Sequence, residues 1–334
     1  MRPGSRSGGP RRRAQRGVAL IIALILVALA TVLASKLTFD GFLERRRSIG
    51  VLAAEQALQF GMGAEAIAAD ALAQDAQNTK QDTLIEPWAQ PTQPLPITPA
   101  DDPEGEPIGT VQGHLEDMQG RFNLNNLGRL LTNGTQDPQP LEQFQLLLAA
   151  VGVEPKWAAL ARDWIDADDL PGSPDGAEDQ VYTSQTPPYR AGNWPMMSPT
   201  ELMNLPGFGA DRYRKIAPYV TALPTAMAKI NVCTASAVVL ESLDANLHGE
   251  YSGSPEVLAN GRKTGCFPDL NTFKNVVSAA AWPKIQPWVS DNTPYFRLTT
   301  RITLGTTEFT LYSLLLRSPT GGKITPLLRS FGTP

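Results

Sequence analysis

The stretch from Arg11 to Leu37, RRRAQRGVALIIALILVALATVLASKL, limits what the chain can be more than any other. Six arginines (Arg2, Arg6, Arg11, Arg12, Arg13 and Arg16) and no acid precede an apolar run from Val18 to Ala34, and only Gly17 separates the two. A cationic flank before an apolar helix directs a chain to a membrane and keeps the flank on the cytoplasmic side. The 17 residues of the run lie at the short end of what crosses a hydrocarbon core of about 30 Å.

Three kinds of segment fit. A secretory signal peptide would be cut after Ala34, behind Val32-Leu33-Ala34, whereas an uncleaved anchor needs only the length. A leader cut ahead of the apolar run would part Gly17 from Val18, at a position that takes a residue without a side chain. Past Ala34 the sequence stays compatible with helix, without proline, to about Lys80. A secreted enzyme would instead begin its fold with polar loop.

The segment RGVALIIALILVALATVLA resembles the N-terminus of type IV pilin-like proteins, and specifically of the minor pseudopilins of the type II secretion system. In that superfamily a glutamate occupies the fifth position after the cut, where this chain has Ile22. That carboxylate meets the terminal amine of the subunit stacked above, an ion pair costly to leave single in an apolar environment. A subunit with nothing above it does not need it, and in this the chain resembles the K-type member, placed at the filament tip. The resemblance implies cleavage by a prepilin peptidase between Gly17 and Val18, methylation of the Val18 amine, and assembly with I-type and J-type minor pseudopilins on an inner-membrane secretion platform. It also implies a single-pass protein of the bacterial inner membrane with its globular part in the periplasm, acting in assembly and not in catalysis.

Composition adds limits. The 334-residue chain carries a formal net charge of -4 although its leader is purely cationic, so the part beyond the leader is distinctly acidic. A broad basic surface for nucleic acid is excluded. Cys233 and Cys266 both fall in the exported part, where one disulfide is the default; a reactive thiol or a metal pair is the other reading. No cysteine follows the apolar run directly, which excludes a lipoprotein anchor.

In chain order, 1–17 reads as the leader and 18–80 as a transmembrane and amphipathic helix. Leu58, Met62, Ala66, Ala69 and Leu72 recur at helical spacing as a stripe to lay on a sheet, and Gly41, Gly50, Gly61 and Gly63 predict a bend or fray. The segment 81–107 holds seven prolines from Pro87 to Pro107 and reads as an extended, poorly ordered loop. IGTVQGHLED (108–117) reads as a strand, and the asparagines of GRFNLNNL as caps for a following helix. From 125 to 292 the pattern is helical, in LEQFQLLLAAVG, KWAALARDWID, SPTELMNL, DRYRKIAPYVTAL, TASAVVLESL and DLNTFKNVVSA. YFRLTTRITL and EFTLYSLLLR then alternate at period two, with a third strand expected over 323–331. The expected class is α+β: a pilin-like long N-terminal helix on a small antiparallel sheet formed by 108–124 and 293–334, with a large all-α domain, 125–292, inserted between strands.

The densest chemistry lies in WIDADDLPGSPDGAEDQVY, 164–182, with six carboxylates in 14 residues: Asp166, Asp168, Asp169, Asp175, Glu178 and Asp179. On an irregular loop they repel one another unless a cation neutralises them, and hard oxygen ligands suit calcium. Leu170 and Pro171 stand where an EF-hand needs a polar ligand and a glycine. A solvated acidic loop is the plain alternative. K-type pseudopilins carry a similar D-x-D...GAED...Y stretch and bind calcium in the inserted domain, so the resemblance implies a structural calcium site.

The turn Leu205-Pro206-Gly207-Phe208-Gly209 resembles that of a helix-hairpin-helix, and the alternative function is a membrane-anchored periplasmic DNA-binding protein. Only Arg212, Arg214 and Lys215 lie nearby to meet phosphate. A calcium-dependent secreted hydrolase is a further alternative, but His114 and His248, the two histidines, sit in no nucleophile motif.

Overall fold

The computed structural model describes residues 4, 15–99, 101–172, 174–319 and 322–332. The arginines at 2, 6, 11, 12 and 13 lie outside the described residues. Helix α1 runs Gln15–Asn78, assigned without a break at any of its glycines, and the Gly17–Val18 bond falls in its first turn. The described residues up to 57 form one compact unit and those from 58 onward another. In the first unit the side chains from Val18 to Ala34 are exposed, and this is the one segment long and apolar enough to cross a membrane among the described residues.

In the second unit the sheet comprises β1 (Leu95–Ile97), β2 (Gly109–Asp117), β7 (Tyr295–Leu304), β8 (Thr307–Arg317) and β9 (Ile324–Phe331), all antiparallel, in the order β1-β2-β7-β8-β9. Gly305, with φ of 57°, begins the two-residue turn between β7 and β8, where a twist-matched hairpin requires the left-handed region. Phe296, Leu298 and Ile302 of β7 and Leu311 and Leu315 of β8 face inward as the period-two pattern predicts.

The last turns of α1 cover that face; Leu72 of the predicted stripe is buried, and the turns before it face inward one position off. Gly61, Glu65, Ala68 and Leu72 are buried, while Met62 and Ala66 are exposed. A Cβ at Gly61 would lie 2.5 Å from Leu311 Cδ2, so a small residue is needed where helix and sheet meet. Glu65 is tolerated inside because Arg329 of β9 grips both carboxylate oxygens, at 2.8 and 2.7 Å, and holds its carboxyl below the usual range. Apolar periodicity cannot register a face that contains a glycine and a paired glutamate.

The proline-rich segment is ordered, which corrects the expectation of a loose loop. Trp88 packs edge-on against Phe296 with ring centres 5.1 Å apart, and its indole N–H donates to Glu86. Leu95–Ile97 pairs with β2 as an edge strand, a place where proline is tolerated because one side of the ladder faces outward.

The insertion is mostly short helices around a continuous apolar core. They include α2 (Pro138–Ala150), α3 (Trp157–Ile165), α4 (Asp179–Tyr182), α5 (Gly209–Ile216), α6 (Ala237–Glu241), α7 (Pro255–Gly261), α8 (Leu270–Val276) and α9 (Trp282–Ile285). It is not all-α: β3 (Phe122–Asn123) pairs in parallel with β4 (Val220–Thr221), and β5 (Ile230–Asn231) with β6 (Val289–Ser290). The asparagines at its entrance do more than cap. Asn123 exchanges hydrogen bonds with Leu223 N and Thr225 O, Asn125 with Met196 N, Met196 O and Leu223 O, and Asn126 with both backbone groups of Ala228. Three buried amides thus tie the start of the insertion to chain about 70 to 100 residues later, satisfying backbone groups that burial would otherwise strand. Cys233 and Cys266 form a disulfide, which overturns the free-thiol and metal-pair readings.

One polar cluster joins helix, insertion and sheet. Arg317 of β8 donates to Asp75 at 3.2 Å, to Asp82 and to Thr293 O at 2.8 Å, and Asp82 also accepts from Thr293 N. Asp117 accepts from Asn231 and Thr234. Burial pushes the Asp82 carboxyl up to about 7, against the opposing pull of Arg317 and Thr293 N. Glu86 is spent on Thr83 N and Trp88, so Asp75, Asp82 and Glu86 need no metal. Replacing Arg317 with methionine leaves two buried carboxylates unpaired and should cost about 3 to 5 kcal/mol in denaturant unfolding. Because a raised carboxyl binds more protons folded than unfolded, the Asp82 contribution to stability should fall as pH rises from about 4 to 7. Asp82→Asn should flatten the profile of denaturation midpoint against pH over that window; an unchanged profile would place the titration elsewhere.

Candidate metal centre

Helix α3 buries Trp157, Ala158, Ala161, Trp164 and Ile165 against the core. On the same buried side stands Asp163, wholly inaccessible. Its Oδ2 accepts from Gly172 N at 2.8 Å and Ala177 N at 2.9 Å, which folds the acidic loop back over the end of α3. Those approaches require glycine: a Cβ on Gly176 would lie 2.2 Å from Asp163 Oδ2, and one on Gly172 2.2 Å from Arg162. Beyond Ile165 the chain turns extended at Asp166, and Asp168 accepts from Leu170 N at 2.8 Å. Tyr182 packs edge-on against Trp164 at 5.2 Å and anchors the far end.

Within this frame Asp166, Asp168 and Glu178 offer carboxylate oxygens that all lie within 4.8 Å of one another. Oxygens at 2.3 to 2.6 Å from a common calcium are separated by distances up to about 5 Å. Buried Asp163 Oδ1, Asp166 Oδ1, both Glu178 oxygens and Asn193 Oδ1 have no hydrogen-bond donor. All of these are acceptors. A buried acceptor without a donor is costly, and a set of them converging on one loop is what a cation would satisfy.

The charges say the same. Burial, and after it the neighbouring carboxylates, pushes Asp166 up to about 6 and Glu178 up to about 7; burial likewise raises Asp163. Among the described residues Arg162 is the cation paired with Asp163, at 3.8 Å, and Gln136 donates to Asp166 Oδ2 at 2.7 Å.

Of the six acids singled out in the sequence, three converge and three do not. Asp169 accepts from Asn193 at 3.2 Å, Asp179 accepts from Ala191 N and pairs with Arg190, and Asp175 is exposed and apart. Asp163 was missed, although an aspartate on the apolar side of a helix is itself a signal. Asn193, at φ 45°, was missed too.

The other motifs carry less. In the turn before α5, Gly207 and Gly209 adopt φ of 84° and 72°. Arg212 is clamped by Glu154 at 2.9 and 3.0 Å, Arg214 pairs with Asp211 at 2.6 Å, and Lys215 donates to Gly152 O. Each cation near the turn already has an internal partner. His114 and His248 are exposed, and the nearest acid to His248 is Glu241 at 4.0 Å.

Comparison with known proteins is consistent with this architecture. A family described as "Type II secretion system (T2SS), protein K" matches residues 120–225. Type II secretion system protein K of Pseudomonas aeruginosa is 33% identical over 331 residues, covering 96% of this chain and 94% of the relative. The Klebsiella pneumoniae protein of that name is 32% identical over 315 residues, covering 90% and 92%. Among solved structures, a chain of the GspK-GspI-GspJ complex from enterotoxigenic Escherichia coli superimposes with a TM-score of 0.74 at 26% identity, over 86% of this chain and 100% of that one. The DNA-binding alternative finds no support among these matches. A near full-length relative at this identity, together with the helix, sheet and insertion described above, shows that the chain belongs to the type II secretion system protein K family.

Proposed function

We propose that this chain, a minor pseudopilin of the type II secretion system, forms the tip of a periplasmic filament with its I-type and J-type counterparts and starts or caps filament assembly. The observation that carries the reading is the likeness, across 86% of the chain, to a protein solved in a GspK-GspI-GspJ complex. Two features of this chain agree with a terminal position. Ile22 cannot make the ion pair that a subunit above would need, and the insertion between β2 and β7 adds bulk that an ordinary stacked subunit lacks.

In this reading 1–17 is a leader removed by a prepilin peptidase, and the run from Val18 anchors the protein in the inner membrane. There it packs against partner helices through small residues such as Ala19, Ala23 and Ala30. Residues 81–107 connect the helix to β2 and contribute the edge strand β1, 108–117 and 293–334 supply the other strands of the sheet, and the chain between them forms the inserted domain. Its work is assembly, with no catalytic step. The acidic loop holds calcium through Asp166, Asp168 and Glu178, with Asp163 and Asn193 supplying the unpaired oxygens nearby. The ion offsets carboxylate repulsion and fixes the loop; it takes part in no reaction.

Mass spectrometry of the membrane-extracted protein should find a mature chain beginning at methylated Val18. A chain starting at Met1 would remove the filament reading, and one starting at Ser35 would favour a secreted soluble protein.

Calcium at a hundredfold excess over its dissociation constant should stabilise the folded protein by about 2.7 kcal/mol and raise its melting temperature by several degrees. Glu178→Gln should remove most of that rise. In chelator the same variant should melt no lower than the wild type, because a neutral side chain avoids the burial cost of the charge and, after it, the carboxylate repulsion, which together raise Glu178. A variant that loses stability equally with and without calcium would make Glu178 a packing residue.

A further inference from the structure

β9 is the last strand of the sheet. One edge pairs with β8, and among the described residues no strand pairs with the other. A bulge opposite Leu314/Leu315 places Leu327 and Leu328 together at this edge, 41% and 44% exposed. Arg329, the next residue, turns to the helix side and is spent on Glu65. Leu328 therefore points to the opposite face, beside its cross-strand partner Leu314. Facing it across a cleft of about 1090 Å³ stand Met196, Met197 and Trp194 of the insertion, and Leu170, Asp166 and Asp168 of the acidic loop. Trp194, Met197 and Leu170 are each at least 65% exposed. Large apolar side chains gathered beside a free strand edge are a liability that soluble surfaces avoid unless something covers them.

We propose that this cleft receives an extended strand of a neighbouring pseudopilus subunit, which adds to the outer edge of β9, buries apolar side chains between Leu328 and Met197, and presents lysine or arginine to the acidic loop. This rests on the tip-assembly reading above.

The chemistry selects the occupant. An unpaired strand edge offers backbone donors and acceptors that an extended chain satisfies and a helix, whose backbone bonds are internal, does not. Pro326 has no N–H to give, so pairing is confined to the residues after it, where Leu327, Leu328 and Phe331 are exposed. Charge selects further. Seven carboxylates lie between residues 163 and 179, more than Arg162, Arg190 and one divalent ion neutralise, and Arg329 faces away. Of these carboxylates Asp163, Asp166 and Asp168 line the cleft, where Arg162 and the divalent ion balance them, and the excess negative charge lies on the adjoining loop at exposed Asp169 and Asp175, which favours a basic strand. A second copy of this chain would instead set two acidic loops side by side.

The test uses the full-length chain in detergent with calcium, and the soluble parts of the I-type and J-type pseudopilins of the same bacterium as separate probes. Leu328→Glu on the strand and Met197→Glu on the opposite wall should each weaken binding of the same one of the two probes by at least about tenfold. Melting temperature and calcium binding should match the wild type, which excludes misfolding. If both variants bind both probes as the wild type does, the cleft is not the docking site, and the tip-assembly reading stands. If the two substitutions abolish only self-association of the chain, the occupant is a second copy and the proposal is overturned. If the wild type binds neither probe, the tip-assembly reading fails and the cleft proposal with it.

Discussion

The guanidinium of Arg317 is the point on which the architecture turns. It reaches from β8 to the end of α1 through Asp75, to the following segment through Asp82, and to the return from the insertion through Thr293 O. One cation thus ties three regions far apart in sequence, and in a buried setting it leaves the site with an excess of carboxylate. Such an arrangement contributes little net stability compared with apolar packing of the same volume. What it supplies is a fixed geometry at a junction where a purely apolar contact would allow sliding.

Around that junction the insertion is fastened by polar side chains of unusual burial. Asn123, Asn125 and Asn126 tie its first residues to two later loops, and Asp117 with Asn231 ties its middle to the end of β2. Each amide is satisfied more than once, so its burial costs little, whereas burial raises the Asp117 carboxyl despite its donors; the strand-to-insertion angle is held by directional bonds. The acidic loop departs from this rule. There the buried oxygens outnumber their donors, and it is this contrast within one molecule that singles the loop out.

Legibility in the sequence followed the physics of each element. Tyr295–Leu304 and Thr307–Arg317 could be read directly, because one face packs and the other does not, and alternation is the trace that leaves. The apolar N-terminal run and α2 were equally plain. β1 was hidden because its prolines signal loop everywhere except on a sheet edge, and the edge is a tertiary fact. Leu72 of the α1 stripe was placed correctly, but Met62 and Ala66 were each one residue off because Gly61 and Glu65 are buried for reasons that depend on Leu311 and Arg329, hundreds of residues away. In the loop, composition pointed to the 14 residues that hold Asp166, Asp168 and Glu178 but not to which of the six acids converge. Asp163 belongs to the preceding helix, and only the fold brings its carboxylate over Gly172 and Ala177.

Leu115 pairs with Leu298, so the two central strands of the sheet are neighbours in space and distant along the chain. The central ladder cannot close until the whole insertion has been synthesised and its ends brought together. Loop-closure entropy and slow non-local pairing then govern the folding time. Until that moment the sheet exists as two separate parts, β1–β2 and β7–β8–β9. A protein built this way gains from a compact insertion that folds early and draws its own two ends into register, which the parallel pairs β3–β4 and β5–β6, one at each side of the junction, are placed to do.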